Sequence, residues 1–396
     1  MNNDFLALFP RIWARRTQIY KENMLISRVI GNYRLENDLT VGDRVTRPYY
    51  SDMTINNYQR GSEVKLQKRK ANPEWLIIDT EKEISIYIDT LDELQSKYDI
   101  QNDFISRSSY LLSNCVDGLF FQNVLDANYT ANVPAPLNST NMAQFVTWIK
   151  AQMIFNQIEM DRPLDLVLPA LEASYIETMS LSTSYGFKVA DESFKAGYIR
   201  QRNGYAMSYQ GMETFTSNNL PQTVTLGTAN PSANATIIIG GITFTFVATP
   251  TLWNQIAIGA NLDATIANAN LIFEGDGAIQ PADDPNDPDY QSLNKVKLFN
   301  AKLMTDSAST PNLVLVTSGE VVIGGTLFVS GSRTVYGLAE RRGSIDIVMQ
   351  RQAVPQFNKA PLQLGWNILL VNLFGTRAFK DGRERMVKLP FQRNDT

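Results

Sequence analysis

The chain has 396 residues, a formal net charge of −4, one Cys and no His. Because His is the usual general base and a frequent metal ligand near neutral pH, its absence excludes Ser-His-Asp triads, Cys-His dyads and His-based zinc sites. The single Cys115 can form neither an intrachain disulfide nor a thiolate metal cluster. No Walker A or GxGxxG sequence is present, so the composition points away from an enzyme and predicts neither a cofactor nor a metal.

Charge is divided unevenly along the chain. Residues 1–73 contain 13 basic and 7 acidic residues, whereas residues 74–221 contain 9 and 19. Residues 222–332 contain 3 and 9, and residues 333–396 contain 11 and 5. Basic ends around an acidic middle are consistent with pairing inside one chain, with contacts between different copies, or with a basic face toward nucleic acid.

The first 33 residues are predicted to form an N-terminal arm. Apolar residues recur at helical spacing in a basic segment that also contains Pro10, so the arm needs a surface to pack on, either a partner's or its own domain's. No basic segment followed by an apolar one marks a secretory signal, and no run approaches ~20 consecutive apolar residues, so we expect no membrane partner. The candidate inter-subunit contacts in the arm are Arg11, Arg15 and Arg16.

Residues 34–90 predict an extended loop and strands. A turn near Gly42 leads into an alternating strand, and the segment from Asn56 to Asn72 is polar and basic with no clear apolar face. Such a hairpin cannot bury a core of its own. Alternation and β-branching predict strands at Trp75–Ile78 and Glu83–Ile88. The candidate inter-subunit contacts in the loop are Arg60, Lys65, Lys68, Arg69 and Lys70.

Residues 91–130 predict one long helix. Its N-cap is Thr90 or Asp92, and apolar residues keep helical spacing to about Asn128, a length of ~50 Å at 1.5 Å per residue. Gly118 would allow a kink. Because ordinary globular helices are about a third of this length, the helix is predicted to be an architectural spine.

Residues 131–221 and 333–396 are predicted to form one α/β domain with closing strands. Thr140 or Asn141 should cap a helix, and strand Leu164–Pro169 should precede a helix from Ala170 to Met179. The predicted apolar face of the first helix consists of Phe145, Val146, Ile149, Met153 and Ile154. Near the C-terminus, strands at 376–379 and 385–389 around the turn Lys380–Arg383 predict a terminal hairpin.

Residues 222–332 are predicted to be an inserted β-rich domain, because this segment is rich in Ala, Asn, Thr and Gly and poor in basic residues. Two of its segments echo one another, with β-branched residues leading into Gly240-Gly241 and into Gly324-Gly325, each a tight-hairpin signal. Between them Asp263–Phe273 predicts a helix. The carboxylates of the acidic, Pro-broken loop 283–289 could bind calcium, but their spacing matches no EF-hand and favours a solvated loop.

This order of elements resembles the HK97-type major capsid protein of tailed bacteriophages. Val41-Gly42-Asp43-Arg44-Val45 resembles the turn that opens the extended loop in that family. Glu213-Thr214-Phe215-Thr216-Ser217-Asn218-Asn219-Leu220-Pro221 is similar to a segment of many phage coat proteins. Phe374-Gly375-Thr376-Arg377-Ala378-Phe379, followed by Gly382, is similar to the family's late hairpin. The fold class implied is α+β, with N-terminal arm, extended loop, peripheral domain with spine helix, axial domain and an inserted domain.

The resemblance also implies a function. The chain would be a structural, non-enzymatic protein that assembles as hexamers and pentamers into an icosahedral shell around double-stranded DNA. Implied partners are other copies of the chain, a separate scaffolding protein, a portal protein, DNA held without specificity, and decoration proteins. Its place would be the virion capsid, and the host cytoplasm during assembly. The extended loop would lie over a neighbouring subunit.

Three other classes of protein compete with this interpretation: another virion protein, a nucleic-acid-binding protein and an enzyme. A tail-tube or decoration protein is usually β-rich, which the predicted spine helix argues against. A nucleic-acid-binding protein using the basic termini would need a recognisable reading motif, and aromatic residues are not interleaved with the basic runs. Carboxylate-only enzyme chemistry has no supporting spacing.

Overall fold

The protein is described here by a computed structural model. The model describes residues 25–38, 42–89, 100–177, 201–226, 230–305, 312–359 and 365–393, apart from 52, 58, 59, 61, 62, 64, 65, 135, 136, 160, 162, 203–205, 210, 211, 283, 285 and 286. The predictions for residues 1–24, including Arg11, Arg15 and Arg16, for Lys65, and for the start of the spine helix at 91–99 lie outside these residues.

The chain is of mixed α and β structure, as predicted. The helices in the described ranges are α1 (Ser27–Ile30), α2 (Ile100–Gln122), α3 (Met142–Phe155), α4 (Ala170–Glu177), α5 (Leu262–Glu274), α6 (Pro288–Leu298) and α7 (Lys380–Arg383), with 3₁₀ turns at Arg34–Asp38 and Asn123–Asp126. The strands there are β1 (Arg44–Tyr50), β2 (Ala71–Ile77), β3 (Thr80–Asp89), β4 (Tyr129–Thr130), β5 (Leu164–Leu168), β6 (Gln201–Arg202), β7 (Ala206–Tyr209), β8 (Met212–Thr216), β9 (Pro221–Leu226), β10 (Thr236–Ile239), β11 (Ile242–Val247), β12 (Gln255–Ala257), β13 (Lys302–Thr305), β14 (Leu313–Ser318), β15 (Ile323–Gly324), β16 (Phe328–Arg341), β17 (Asp346–Arg351), β18 (Gln356–Lys359), β19 (Gly365–Arg377) and β20 (Met386–Gln392).

Four sheets organise the described strands. The largest has the order β13-β14-β9-β16-β5-β8-β7-β6, with β20 paired to β16 and β4 to β20. A second sheet pairs β19 with β17 and β18 on one side and with β3 on the other. A third has the order β12-β11-β10-β15, and β1 pairs β2 alone. Long-range pairing dominates this architecture, because β16 bonds strands from three separate parts of the chain, β5, β9 and β20.

The spine helix forms as predicted over its described part. α2 is continuous through Gly118, and it continues as a 3₁₀ turn to Asp126. Leu112 and Val116 are buried, but Leu119 is only half-buried. The adjacent Phe120 and Phe121 are fully buried instead, in a cluster that also contains Ile26, Ile30 and Phe215.

Gly118 allows the helix to pack closely against its neighbours, and it does not interrupt the helix. A Cβ at this position would lie 2.8 Å from both Asn300 Nδ2 and Ser318 Oγ. Those two side chains are held in place, since Asn300 Nδ2 donates to Ser318 Oγ at 3.3 Å and Gln122 Nε2 donates to the same oxygen at 3.2 Å. The helix therefore touches the loop after α6 at a point where only Gly fits.

The helix α3 confirms four of its five predicted core residues. Phe145, Val146, Ile149 and Met153 are buried against β5, whereas Ile154 is exposed. The N-cap residue is Asn141, one of the two predicted, although its side chain forms no capping hydrogen bond. Asn138 Oδ1 organises the turn before the helix by accepting hydrogen bonds from the backbone N–H groups of residues 140 and 141, at 2.9 and 3.2 Å.

The two Gly-Gly segments behave differently. Gly240 and Gly241 have φ values of +58° and +88° and form the tight turn that joins β10 to β11, as predicted. The segment at Gly324-Gly325 is not a hairpin, because β15 and β16 do not pair with each other. β15 pairs with β10, so the two similar segments lie side by side in one sheet.

The predicted terminal hairpin is wrong. β19 and β20 belong to different sheets, and the expected turn is the short helix α7, which connects the two sheets. Each strand pairs with a segment that is distant in sequence: β19 pairs β3, and β20 pairs β16.

The predicted division into arm, loop, spine, axial region and insert remains a prediction. The strands of residues 222–332 contribute to two sheets: β10, β11, β12 and β15 form the small sheet, while β13 and β14 extend the large sheet beyond β9. One hydrophobic cluster of the described residues spans both groups, from Val224 through Phe244 and Phe273 to Leu315. None of the described helices has the length and apolar character needed to cross a membrane.

Gly118→Ala tests the close packing of α2. Helix propensity alone would make this substitution stabilising by about 1 kcal/mol. We expect the reverse, a lower free energy of unfolding by urea, because the new methyl group must displace Asn300 and Ser318. Ser106→Ala, at an exposed position of the same helix, is the control. A Gly118→Ala protein more stable than the wild type would contradict the packing argument.

Candidate functional site

The root of the extended loop is a two-stranded ribbon that is fastened to α7. In the antiparallel pair of β1 and β2, Arg47 lies opposite Glu74, yet each pairs with α7. Arg47 Nη2 lies 2.5 Å from Asp381 Oδ2. Glu74 accepts hydrogen bonds from the Lys380 backbone N–H at 3.0 Å and from Arg383 Nη2 at 3.3 Å. Opposite charges on the ribbon and the helix therefore fix how the two sit together.

Aromatic and apolar contacts lie beneath these ion pairs. The Arg47 guanidinium stacks 5.4 Å from the centre of the Phe379 ring, and Lys380 Nζ lies 4.0 Å from that of Tyr49. The fully buried Leu76 and Phe379 form a small core with other apolar side chains of the ribbon and of β17. The further members of this core are Val45, Ile78 and Val348, with Leu35 and Leu373 packed against it. Apolar burial supplies most of the stability of the root, since exposed ion pairs contribute at most about 1 kcal/mol each.

Beyond the root, the loop has little support from its own chain. Gln67 bonds the backbone of Thr54 in both directions, which keeps the two sides of the loop together. Ile55 and Leu66 are 99% and 94% exposed, and Met53 is exposed as well. These three are the most exposed large apolar side chains of the described part of the loop.

Four of the predicted inter-subunit contact residues lie on the described part of this loop. Arg60, Lys68, Arg69 and Lys70 are all exposed on it. Arg69 lies over the ring of Tyr50 in its own chain, at 4.6 Å from the ring centre. Whether these cations contact another subunit stays a prediction.

Asp346 couples the loop root to the second sheet. Its Oδ1 accepts a hydrogen bond of 2.6 Å from Asn32 Nδ2, and its Oδ2 lies 4.0 Å from Arg47 Nη1. Burial raises the pKa of Asp346 to about 7, with Arg47 opposing the shift and Asp381 adding to it.

Asp117 is a buried polar hub on α2. Its Oδ1 accepts hydrogen bonds from the backbone N–H groups of Ile26 and Ser27, at 2.9 and 2.8 Å, and its Oδ2 accepts one from Asn219 Nδ2 at 2.9 Å. Asn219 also donates to Asn114 Oδ1 at 2.9 Å. The coat-protein-like segment ending in Pro221 thus has a structural role: its Asn fastens the turn before β9 to the spine helix. Burial raises the pKa of Asp117 above its usual range, against the effect of these donors.

Within the described part of the chain, five of the eleven basic residues of the C-terminal segment pair with carboxylates. Arg341 binds Asp161 through two nitrogens at 2.5 Å each, and Arg342 binds Asp165 and Glu213 at 2.6 Å. The remaining pairs involve Arg383 with Glu74, Arg385 with Glu159 and Asp381, and Arg393 with Glu172 and Glu320. Of the explanations that the charge pattern left open, pairing inside one chain accounts for these five residues.

The large sheet contains a buried acidic row that sequence reasoning missed. Glu213, Asp165 and Glu340 occupy facing positions on β8, β5 and β16. Both carboxylate oxygens of Glu340 are buried without a hydrogen-bond partner among the described residues. Burial, helped by Asp165 and opposed by Arg342, raises the pKa of Glu340 well above its usual range. Periodicity could not reveal the row, because each strand contributes one member.

The acidic loop 283–289 contributes a helix cap. Asp287 Oδ1 accepts hydrogen bonds from the backbone N–H groups of Asp289 and Tyr290, at 2.7 and 3.4 Å, and so begins α6. Within the described residues, no group of three or more acidic or Cys side chains is arranged to hold a metal ion.

Comparison with known proteins gives the fold but no close relative. No protein-family model matches the sequence, and no curated protein does. A solved structure from Mycobacterium phage Che8 is similar with a TM-score of 0.55 at 12% identity, covering 98% of each chain. The capsid structure of the cyanophage P-SCSP1u is similar with a TM-score of 0.55 at 11% identity, covering 100% of this chain and 96% of that one.

A third similarity is to the head structure of Helicobacter pylori bacteriophage KHP40, with a TM-score of 0.50 at 8% identity over 98% of this chain and 97% of that one. The chain therefore has the fold of phage capsid proteins, in agreement with the resemblance that the sequence indicated. The similarity covers nearly the whole chain, residues 222–332 included.

Asp346→Asn tests the charge balance at the loop root. A carboxyl whose pKa is raised by folding is stabilising when protonated, so its contribution declines as the pH rises from about 4 to about 7. We expect the melting temperature of the wild type to fall between pH 5.5 and pH 8, and the fall to be smaller in Asp346→Asn, whose amide oxygen can still accept from Asn32. Asp276→Asn, at an exposed position, should leave the pH dependence unchanged. Identical pH profiles for wild type and Asp346→Asn would contradict the argument.

Proposed function

We propose that this chain is the major capsid protein of a tailed bacteriophage. Copies would assemble as hexamers and pentamers into an icosahedral shell that encloses double-stranded DNA. The observation that carries the proposal is the combination of a capsid-protein fold over the full chain with a loop that is fixed at its root and exposed beyond it.

The exposed loop supports assembly rather than catalysis. A loop of residues 51–70 with exposed Ile55 and Leu66 would be a liability on an isolated protein, because exposed apolar side chains promote association. In a shell the same side chains would be covered by a neighbouring subunit. A structural role also agrees with a chain that contains no His and one buried Cys.

The implied partners follow from this role. We propose other copies of the chain, a separate scaffolding protein, a portal protein, DNA held without sequence specificity, and decoration proteins. Assembly would take place in the host cytoplasm before the chain becomes part of the virion. A tail-tube or decoration protein is disfavoured, because the similarity to capsid and head structures covers nearly the whole chain.

The ion pairs inside the chain limit which basic residues could contact the packaged DNA. Since Arg341, Arg342 and Arg393 each pair with carboxylates of their own chain, the C-terminal segment has less basic charge to offer phosphates than its composition implies. The candidates that remain include the basic residues of the arm, Arg11, Arg15 and Arg16, and the exposed Arg351 and Lys359 of the C-terminal segment.

Residues 222–332 are proposed to project from the outer surface of the shell or to contact neighbouring subunits there. Their three basic and nine acidic residues would make a position against packaged DNA electrostatically unfavourable. The acidic Asp263, Glu274 and Asp276 are all exposed. A cryo-electron microscopy map of the shell with this segment against the DNA would contradict the placement.

Limited proteolysis tests the role of the loop. We expect cleavage within residues 51–70 in free subunits and protection of the same bonds in assembled particles, because a neighbour would cover the loop. The rate of cleavage can be followed by mass spectrometry, with sites in the C-terminal strand β20 as the internal control. Equal cleavage rates for the loop in both states would contradict the proposal.

A further inference from the structure

A row of exposed side chains runs from the loop root onto β3. Every second residue from Pro73 to Tyr87 is exposed, while the residues between them are half-buried or buried. The exposed members, which we call the 73–87 stripe, are Pro73, Trp75, Ile77, Asp79, Glu81, Glu83, Ser85 and Tyr87. Fully extended, the stripe would measure about 45 Å at 3.3 Å per residue.

The stripe has two halves of different chemistry. The first half lies on β2 and is apolar, with Trp75 and Ile77 exposed to 42% and 45%. The second half lies largely on β3 and is acidic, with Glu81 and Glu83 two residues apart. Among the described residues, neither Glu81 nor Glu83 forms an ion pair. A sheet face with exposed aromatic and apolar residues beside unpaired charge has the character of a protein interface.

The extended loop presents the complementary pattern. Residues 51–70 contain five basic and two acidic residues, whereas the charged members of the stripe are all acidic. At alternate positions the loop exposes Leu66, Lys68 and Lys70, an apolar residue followed by two cations. Arg69 lies between them, and its guanidinium contacts the ring of Tyr50 in its own chain. Lys68 and Lys70 are thus separated by the same number of residues as Glu81 and Glu83.

We infer that the 73–87 stripe is the surface on which the extended loop of a second copy of this chain docks, with Lys68 and Lys70 of one copy against Glu81 and Glu83 of the other. Trp75 and Ile77 lie beside this contact and supply apolar area, while the charge pairs set the register of the loop. The inference rests on the proposed function, because the partner is another subunit of the same shell.

Two copies are needed for the contact. Within one chain the loop continues directly from the ribbon β1–β2, and the inner face of that ribbon is already occupied by α7 and the core around Leu76 and Phe379. The stripe lies on the opposite, exposed face. The interface is therefore between two different surfaces, a geometry that generates closed rings when the rotation between copies closes.

A charge-swap experiment tests the pairing. Glu81→Lys/Glu83→Lys places like charges together, and so does Lys68→Glu/Lys70→Glu, so each double variant should lower the yield of sedimentable shells by more than about tenfold. The quadruple variant restores opposite charges with the signs exchanged, and its yield should return to within about twofold of the wild type. Circular dichroism and thermal melting of free subunits should be unchanged in all three, because the four side chains are exposed.

Glu274→Lys/Asp276→Lys, with the same change of net charge on the 222–332 segment, is the matched control and should assemble normally. Normal assembly of either test double variant, failure of the folded quadruple variant, or failure of the control would overturn the pairing. If the wild-type chain forms no shells at all, the proposed function fails and this inference fails with it. Wild-type shells together with unaffected double variants would overturn the inference alone.

Discussion

The position of the extended loop depends on the packing of its root against α7. Val45, Leu76 and Phe379 bury a small apolar core there, and the pairs of Arg47 with Asp381 and of Glu74 with Arg383 fix its orientation. Without this attachment a two-stranded ribbon would be marginally stable in water. With it, the base of the polar and basic loop has a defined position, and we propose that a neighbouring copy covers the part beyond the root.

Opposite charges pair inside the chain, and we propose that others pair between copies. Inside the chain, basic residues of the C-terminal segment neutralise carboxylates of the acidic middle, as in the pairs of Arg342 with Asp165 and Arg393 with Glu172. Between copies, the charges that remain unpaired on the loop and on β3 are proposed to meet. Composition alone could not distinguish ion pairs within one chain from ion pairs between copies, because the net charge of a segment does not reveal which of its residues already have partners.

Elements defined by local pattern could be predicted from the sequence, and elements defined by distant partners could not. The β1–β2 ribbon, the strand at 164–168 and the turn at Gly240-Gly241 follow from alternation, continuous apolar residues and paired Gly. The pairing of β19 with β3 depends on contacts across about three quarters of the chain, and the terminal hairpin prediction failed for this reason. Gly118 and Glu340 could not be explained either, since their neighbours, Asn300 and Asp165, are far away in sequence.

The central claim is that copies of this chain form a closed shell. The most direct measurement is electron microscopy of particles recovered from cells that express the chain together with its scaffolding protein, in negative stain and then in vitreous ice. The account predicts closed icosahedral shells built from rings of five and six subunits, with residues 51–70 ordered over a neighbouring copy. Folded chains that remain monomeric under these conditions, or that form open tubes without fivefold vertices, would contradict it.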